Sequence, residues 1–314
     1  MIYTLTPNPA IDLYVGLDQL TPEVVNRTYE EDYQPNGKAI NVSIMLSKLG
    51  ITNTAMGFIG GFSGKFIEQE LKKLSIHTSM VDVEGITRIN VFANADREYK
   101  IVNKGPLIPK EKKAEMLEKI EQIPANSTLF VSGSLPRGIQ DEFYIHLAKI
   151  CHHKKIKLIL DISSHALLEC LKYKPFLIKP NEDELASFFQ LSTADLYSEK
   201  IIELSQELLD RGAQQVLVSR GEKGAIYTSP HHTLKVSSAN GQVVNTACAG
   251  DAMLSTFIGK LEQKHSLEDA LIYSSAAGAA TAFSKGLCSL SHIQALIPAI
   301  QLEKIKEESF DGTY

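Results

Sequence analysis

Short apolar runs separated by stretches of helical period constrain this chain more than any other feature. Runs of strand length stand at Ile2–Leu5, Thr128–Val131, Leu158–Leu160, Phe176–Ile178 and Val216–Val218, each followed by a segment with helical spacing. A continuously apolar strand is one buried on both faces, so the pattern predicts a mostly parallel sheet flanked by helices. Over Ser63–Leu74, Phe66, Ile67, Leu71 and Leu74 share one helical stripe while Lys65, Glu68, Lys72 and Lys73 fall off it, giving a dry face and a wet one. Two stretches break the rhythm. One is residues 11–35; the other is residues 87–103, where Ile89, Val91 and Ala93 alternate with Arg88, Asn90, Phe92 and Asn94 before a turn at Asp96-Arg97. Alternation of that kind is antiparallel hairpin material. The expectation is a single α/β unit over residues 1–314, with a small discontinuous β lid at about 11–35 and 87–103. One face of that lid is buried only when a ligand or a second copy covers it.

Charge and cysteine content narrow the classes of partner. The chain has 32 Lys and Arg against 37 Asp and Glu, a net charge of −5, which argues against nucleic acid or an anionic membrane surface as partner. Its 4 cysteines make no C-x-x-C pair, and the opening residues show no charged and apolar leader pattern, so a reducing cytoplasm is expected. No apolar run approaches the ~20 residues a membrane span needs. The pairs His152-His153 and His231-His232 have no partner at zinc-like spacing and read as solvated side chains. The polar tail at residues 302–314 reads as a frayed helix end.

Two local patterns carry chemistry. Asn245-Thr246-Ala247-Cys248-Ala249-Gly250-Asp251-Ala252 leads into a helix rich in small and apolar residues. Small residues at a helix start let backbone N–H groups approach an anion, and the helix dipole favours negative charge there. Asp251 in such a first turn has two readings, a helix cap or a base that accepts a proton during phosphoryl transfer. The second pattern, Pro35-Asn36-Gly37-Lys38-Ala39-Ile40-Asn41, opens a helix that runs to Leu49. Gly37 permits close backbone approach, Lys38 offers a point charge for phosphate and Asn41 a partner for hydroxyls; taken alone it reads first as any turn before a helix. Gly60-Gly61-Phe62-Ser63-Gly64-Lys65-Phe66 is not a P-loop, because Ile59 and Phe66 stand where that motif needs Gly and Ser or Thr. No G-x-G-x-x-G dinucleotide fingerprint occurs.

Together these residues resemble the PfkB/ribokinase family of carbohydrate kinases, and within it the bacterial 1-phosphofructokinase and tagatose-6-phosphate kinase branch. The resemblance runs through Thr6-Pro7-Asn8-Pro9-Ala10-Ile11-Asp12, Asn26-Arg27, Asn36 to Val42, Gly57 to Gly61, Thr87 to Val91, Ser132-Gly133-Ser134-Leu135-Pro136, Lys179 to Glu184, Ser219 to Gly224 and Ala249-Gly250-Asp251. It implies a ribokinase-like fold and transfer of a phosphoryl group from ATP, with Mg²⁺, to a phosphorylated ketohexose. Fructose 1-phosphate is the first expectation and tagatose 6-phosphate or fructose 6-phosphate the alternative. A sugar-phosphate sensor without catalysis is a third reading, disfavoured by the intact Asp251.

The resemblance also implies roles. Asp251 would be the base, and the N–H groups from Ala247 through Cys248 and Ala249 to Gly250 the anion hole. Asp12, Gly37, Asn41 and Asn90 would hold the sugar, and Lys38, Arg27 and Arg88 the phosphate it already carries. Lys179, Asn181, Glu184, Ser219, Gly221, Gly224 and Thr246 would hold the nucleotide, with Asn181 and Glu184 meeting Mg²⁺ through water and the small-residue segment Ser274–Ala282 forming a wall near the adenine. The lid would pair with a partner's lid in a homodimer.

Three departures touch this site. The family usually has Gly-Gly-Lys-Gly where this chain has Asn36-Gly37-Lys38-Ala39, and Gly-Ala-Gly-Asp where it has Cys248-Ala249-Gly250-Asp251. Asn36 would tolerate a positive φ, whereas Cys248 in that conformation costs roughly 1–2 kcal/mol. A thiol at a helix N-terminus is either acidified and oxidation-sensitive or buried and inert. Ser163-Ser164 after Asp161 replaces a common Thr-Ser-Gly run and puts the nearby sugar contact in question.

Overall fold

A computed structural model describes residues 1–307. Its main element is an 11-stranded sheet. From one edge the strands are His77–Thr78, Asn53–Ile59, Ile2–Thr6, Thr128–Ser132, Lys157–Asp161, Leu177–Ile178 and Val216–Ser219, all parallel to their neighbours. The short strand Val81–Asp82 also pairs with Asn53–Ile59. Every residue of Thr128–Ser132 is buried, as an inner parallel strand requires.

The two-residue period of these strands sorts their side chains into two cores. Leu5, Leu129, Val131, Leu158 and Leu160 face a cluster closed by helices Lys110–Glu121, Glu142–Lys154 and Ser198–Asp210. Ile2, Phe130, Ile159, Leu177 and Leu217 face the opposite cluster, closed by helices Lys38–Lys48, Ala249–Glu262 and Leu267–Ala282. The expected helix near Ser63–Leu74 spans Gly61–Lys73, with Ile67 and Leu71 inward.

At the far edge the chain departs from the expected alternation. Val216–Ser219 is followed by antiparallel strands Ala225–Thr228 and His232–Val236, with a single 3-10 turn at Gly221–Lys223 leading into the first of them and no α-helix. The tail expectation is corrected too: Leu302–Glu307 is a strand antiparallel to His232–Val236, and residues 308–314 lie outside the described residues. Its exposed Glu303, Lys304 and Lys306 suit an edge strand, whose outward positions meet water.

A separate 4-stranded sheet has the order Glu30–Asn36, Ala10–Gly16, Arg88–Asn94, Glu98–Ile101. The expected hairpin is present, and its first strand runs parallel to Ala10–Gly16. Register puts Asp12 beside Gln34 and Asn90, and Tyr14 beside Phe92, on one face. Leu13, Tyr33, Val91 and Ile101 share the other face, where Tyr33 is 49% and Ile101 56% exposed. The small sheet thus has one polar and aromatic face and one apolar face, covered by helix Gly61–Lys73 at Ile11 and Ile89 and open at Tyr33 and Ile101.

Candidate active site

Ligand crevices in open parallel sheets lie beyond the carboxyl ends of the strands. Here those ends deliver Thr6, Ser132, Asp161, Lys179 and Ser219 to one rim, opposite the polar face of the lid. Two cavities open on that rim. One, of about 810 Å³, reaches from Asn8 and Arg88 past Gly37 to Ser134, Asp141 and Ser164. The other, of about 1060 Å³, runs from Asp12 and Asn41 past Asp251 to Ser219, Thr246 and Ala279.

Asp251 lies in the first turn of the helix Ala249–Glu262 and is buried. Burial first, and then the like charge of Asp161, push its carboxyl up to about 6, against a hydrogen bond from Asn41 Nδ2 at 2.9 Å. A carboxylate balanced near neutrality is what a general base needs, and its side chain caps no helix N–H, so the cap reading fails. The N–H groups of Cys248, Gly250 and Asp251 find no acceptor among the described residues. Ala247 is removed from the expected anion hole, because its N–H donates to Asn245 Oδ1 at 3.0 Å; Ala249 N–H turns toward Thr246 O at 3.4 Å.

Cys248 has φ 64 and ψ −4, the left-handed conformation that glycine adopts without penalty. Its thiol accepts from Asn41 Nδ2 at 3.1 Å. Burial, then the charges of Asp251 and Asp12, push the thiol pKa up, which favours the buried, inert reading of Cys248 over the acidified one. At the other loop the positive φ falls on Gly37 (φ 140) and not on Asn36, and a Cβ on Gly37 would sit 2.5 Å from Thr6 Cγ2. Asn36 is free to use its side chain: Nδ2 donates to Asp12 Oδ2, and Oδ1 accepts from Gly37 N–H and from Asn41 Nδ2.

Asp12, buried on the lid face, takes its second bond from Asn90 Nδ2 at 2.8 Å. Burial raises its pKa more than these bonds lower it. Arg88 lies beside it, donating through Nη2 to Asn8 O at 2.8 Å, while its buried Nε has no partner among the described residues. Arg88 lines the smaller cavity, where a guanidinium suits an anion. Arg27 is not brought here. It lies exposed in the loop between the first two lid strands, lines neither cavity, and makes no ion pair among the described residues. Convergence of Lys38, Arg27 and Arg88 within one protomer therefore fails, because the lid strands carry residue 27 away from the rim.

Lys38 is also redirected. Its Nζ lies 3.3 Å from Asp161 Oδ1 and 4.0 Å from Glu184 Oε1, between the two cavities and away from Arg88's partners. Burial would lower its pKa, but Asp161, Glu184 and Asp251 outweigh it and hold it above the usual lysine value. Buried Lys179 binds the same Asp161 oxygen at 3.3 Å. Burial alone would push Asp161 up; Lys179 and Lys38 hold it down instead. Asp161 was missed as a site residue, although an Asp closing an apolar strand was visible in the sequence.

Asn181 and Glu184 form a reciprocal helix cap: Asn181 Oδ1 accepts from Glu184 N–H at 2.7 Å and Glu184 Oε2 from Asn181 N–H at 3.0 Å. Glu184 Oε1 accepts from Ser163 at 2.5 Å. Among the described residues no three His, Cys, Asp or Glu cluster as a metal cage. That donor set fits Mg²⁺, which is held mostly by phosphate oxygens and water with one or two carboxylates nearby. Ser219, Gly221 and Thr246 line the larger cavity, as do Ser275, Gly278 and Ala279 of the small-residue helix. Gly224 does not. Its φ of 84 and the closeness of Val236 O to any Cβ there make it a backbone crossing point for the antiparallel edge.

Known proteins share this arrangement. The pfkB family carbohydrate kinase pattern matches residues 5–294. A D-tagatose-1-phosphate kinase of Bacillus licheniformis is 57% identical over 96% of this chain and 99% of its own. A 1-phosphofructokinase of Bacillus subtilis is 32% identical over 97% and 100%. The solved structure of Escherichia coli phosphofructokinase-2 in complex with substrates and products superposes with a TM-score of 0.88 at 28% identity, covering 95% of this chain and 98% of that one. With a polar lid facing a helix-start anion hole and a buried aspartate, the chain belongs to the pfkB family of carbohydrate kinases and is a kinase.

Proposed function

We propose that the enzyme transfers the γ-phosphoryl group of ATP to the C6 hydroxyl of a ketohexose 1-phosphate, with tagatose 1-phosphate the preferred substrate and fructose 1-phosphate second. The observation that carries this reading is the meeting of the two cavities beside Asp251 and three unpartnered N–H groups. The smaller cavity would take the sugar, its phosphate against Arg88 and its hydroxyls against Asp12, Asn36 and Asn90. The larger would take ATP along Thr246, Gly250 and Ser219, with the small residues Ser275, Gly278 and Ala279 beside the adenine. Asp251 would accept the hydroxyl proton as the sugar oxygen bonds to the γ-phosphorus and the bond to ADP breaks. The N–H groups of Cys248, Gly250 and Asp251, with Lys38 and Lys179, would meet the charge spread over the transferring oxygens. Bound Mg²⁺ would neutralise phosphate charge, with Glu184 and Asn181 beside its water shell.

Tagatose 1-phosphate moves ahead of the fructose 1-phosphate expected from the motifs because the 57% identical relative carries that activity in its name, against 32% for the 1-phosphofructokinase. Fructose and tagatose differ only in configuration at C4, so one pocket can serve both. The open part of the lid's apolar face, bearing Leu13, Tyr33, Val91 and Ile101, supports pairing of two lids in a homodimer, which sedimentation would detect.

A coupled ADP-release assay with tagatose 1-phosphate, fructose 1-phosphate, tagatose 6-phosphate and fructose 6-phosphate tests the assignment. The highest kcat/KM is expected with tagatose 1-phosphate and the product is the 1,6-bisphosphate. Turnover confined to the 6-phosphates would overturn it.

A further inference from the structure

Asn36, Lys38 and Phe92 are the residues that line both cavities. Two are polar and already engaged, Asn36 with Asp12 and Lys38 with Asp161 and Glu184. Phe92 is the apolar one. It stands one step beyond Asn90 on the site-facing side of the lid, in register with Tyr14, and the two rings stack with centroids 5.1 Å apart and planes inclined by 20°. Phe92 belongs to neither helix-covered core nor the small cluster under the lid. Apart from its stacking on Tyr14, this ring stands at the opening between the two cavities without a place in any buried cluster.

The chemistry at that opening supplies a reason for a ring there. Asp251 and the free N–H groups of Cys248, Gly250 and Asp251 do not distinguish a sugar hydroxyl from water. If water enters, its oxygen bonds to the γ-phosphorus and its proton passes to Asp251. The bond from that phosphorus to the bridging oxygen breaks, and ADP and inorganic phosphate leave. Asn36 and Lys38 would hold such a water by hydrogen bonds, whereas a ring face offers it no comparable partner. The free energy of the phosphoryl donor is conserved only where water is kept from this point.

We propose that Phe92 is a positioning residue that excludes water from the transfer point and so couples ATP cleavage to sugar phosphorylation. This rests on the ATP-dependent transfer proposed above. It extends that reading by naming the side chain that separates kinase from ATPase.

The test is to measure ADP and sugar bisphosphate in the same reaction mixtures, with saturating tagatose 1-phosphate or fructose 1-phosphate and also without sugar, for wild type, Phe92→Leu, Phe92→Ala and Phe92→Thr. Wild type and Phe92→Leu are expected to form the two products one for one. Phe92→Ala is expected to release at least about twofold more ADP than bisphosphate, with inorganic phosphate making up the difference. Phe92→Thr, which suits a strand and offers water a hydroxyl, should do the same and guards against a fold defect in the alanine variant. Slower turnover that keeps the one-for-one ratio in both small variants overturns the proposal alone. ADP release by wild type with no bisphosphate formed overturns the kinase assignment to these sugars and this proposal with it.

Discussion

Asp251 as proton acceptor makes a quantitative demand on the pH–rate profile. Burial and the charge of Asp161 bring its carboxyl to about 6, and the first of the opposing effects is the bond from Asn41 Nδ2. A base must be unprotonated, so kcat/KM should fall about tenfold per unit below that value. Asn41→Ala removes a bond that favours the carboxylate; the pKa then rises and the acid limb moves toward neutral pH. A hydrogen bond to a charged group contributes about 1.5–3 kcal/mol. At about 1.4 kcal/mol per pKa unit, the limb should move up by roughly 1–2 units. Part of the activity lost at pH 7 would return on raising the pH by about two units. The sugar phosphate itself titrates near pH ~6, but equally for both proteins, so the displacement between the two profiles is the readout. The assay is kcat/KM for the sugar at saturating ATP, by ADP release. A limb that stays in place, or moves to lower pH, would refute Asn41 as the group that tunes Asp251.

Three further outcomes follow from the same geometry. Asp251→Asn should lower kcat by ~10²-fold or more while raising the urea midpoint. The folded-state pKa of Asp251 is raised from 3.8 to about 6, so its ionisation opposes folding by an amount that grows above pH 3.8 and is complete above about 6, on the order of 3 kcal/mol. A less stable variant, or one with near-normal turnover, contradicts this. Arg88→Ala should raise KM for the sugar phosphate about tenfold or more and leave KM for ATP unchanged; equal effects on both would place Arg88 outside the sugar site. Native enzyme treated with iodoacetamide near neutral pH should show little labelling of Cys248 by peptide mass spectrometry, because its thiol pKa is pushed up, and rapid labelling that ATP blocks would contradict the electrostatics described.

Much of this site was legible before any fold. Asp251, Gly250, Gly37 and Asn41 could be named from local helix-start patterns and Asp12 and Lys179 from the family resemblance, and the structure brings them to one rim. Arg27 and Gly224 line neither cavity: a charge in a loop carries no mark of which way the loop points, and a motif glycine serves a ligand and a backbone crossing alike. Lys38 is held by Asp161 and Glu184, which lie over a hundred positions away in sequence, so its pairing could not be read from its local pattern.

The alternation of apolar strands with helices pointed by itself to a mostly parallel sheet flanked by helices, and the two breaks in it to a small β subdomain, since burial on one or two faces is written in residue period. What the tertiary structure decided was the balance of charge at the rim. Asp161 is held below its usual pKa and Asp251 brought to about 6, two carboxylates in one site, because Lys38 and Lys179 both turn to the first while Asp251 has, among the described residues, only Asn41's amide as a hydrogen-bond donor. Such a difference depends on distances between residues remote in the chain, and Coulomb energy falls off with distance in space whatever the separation in sequence.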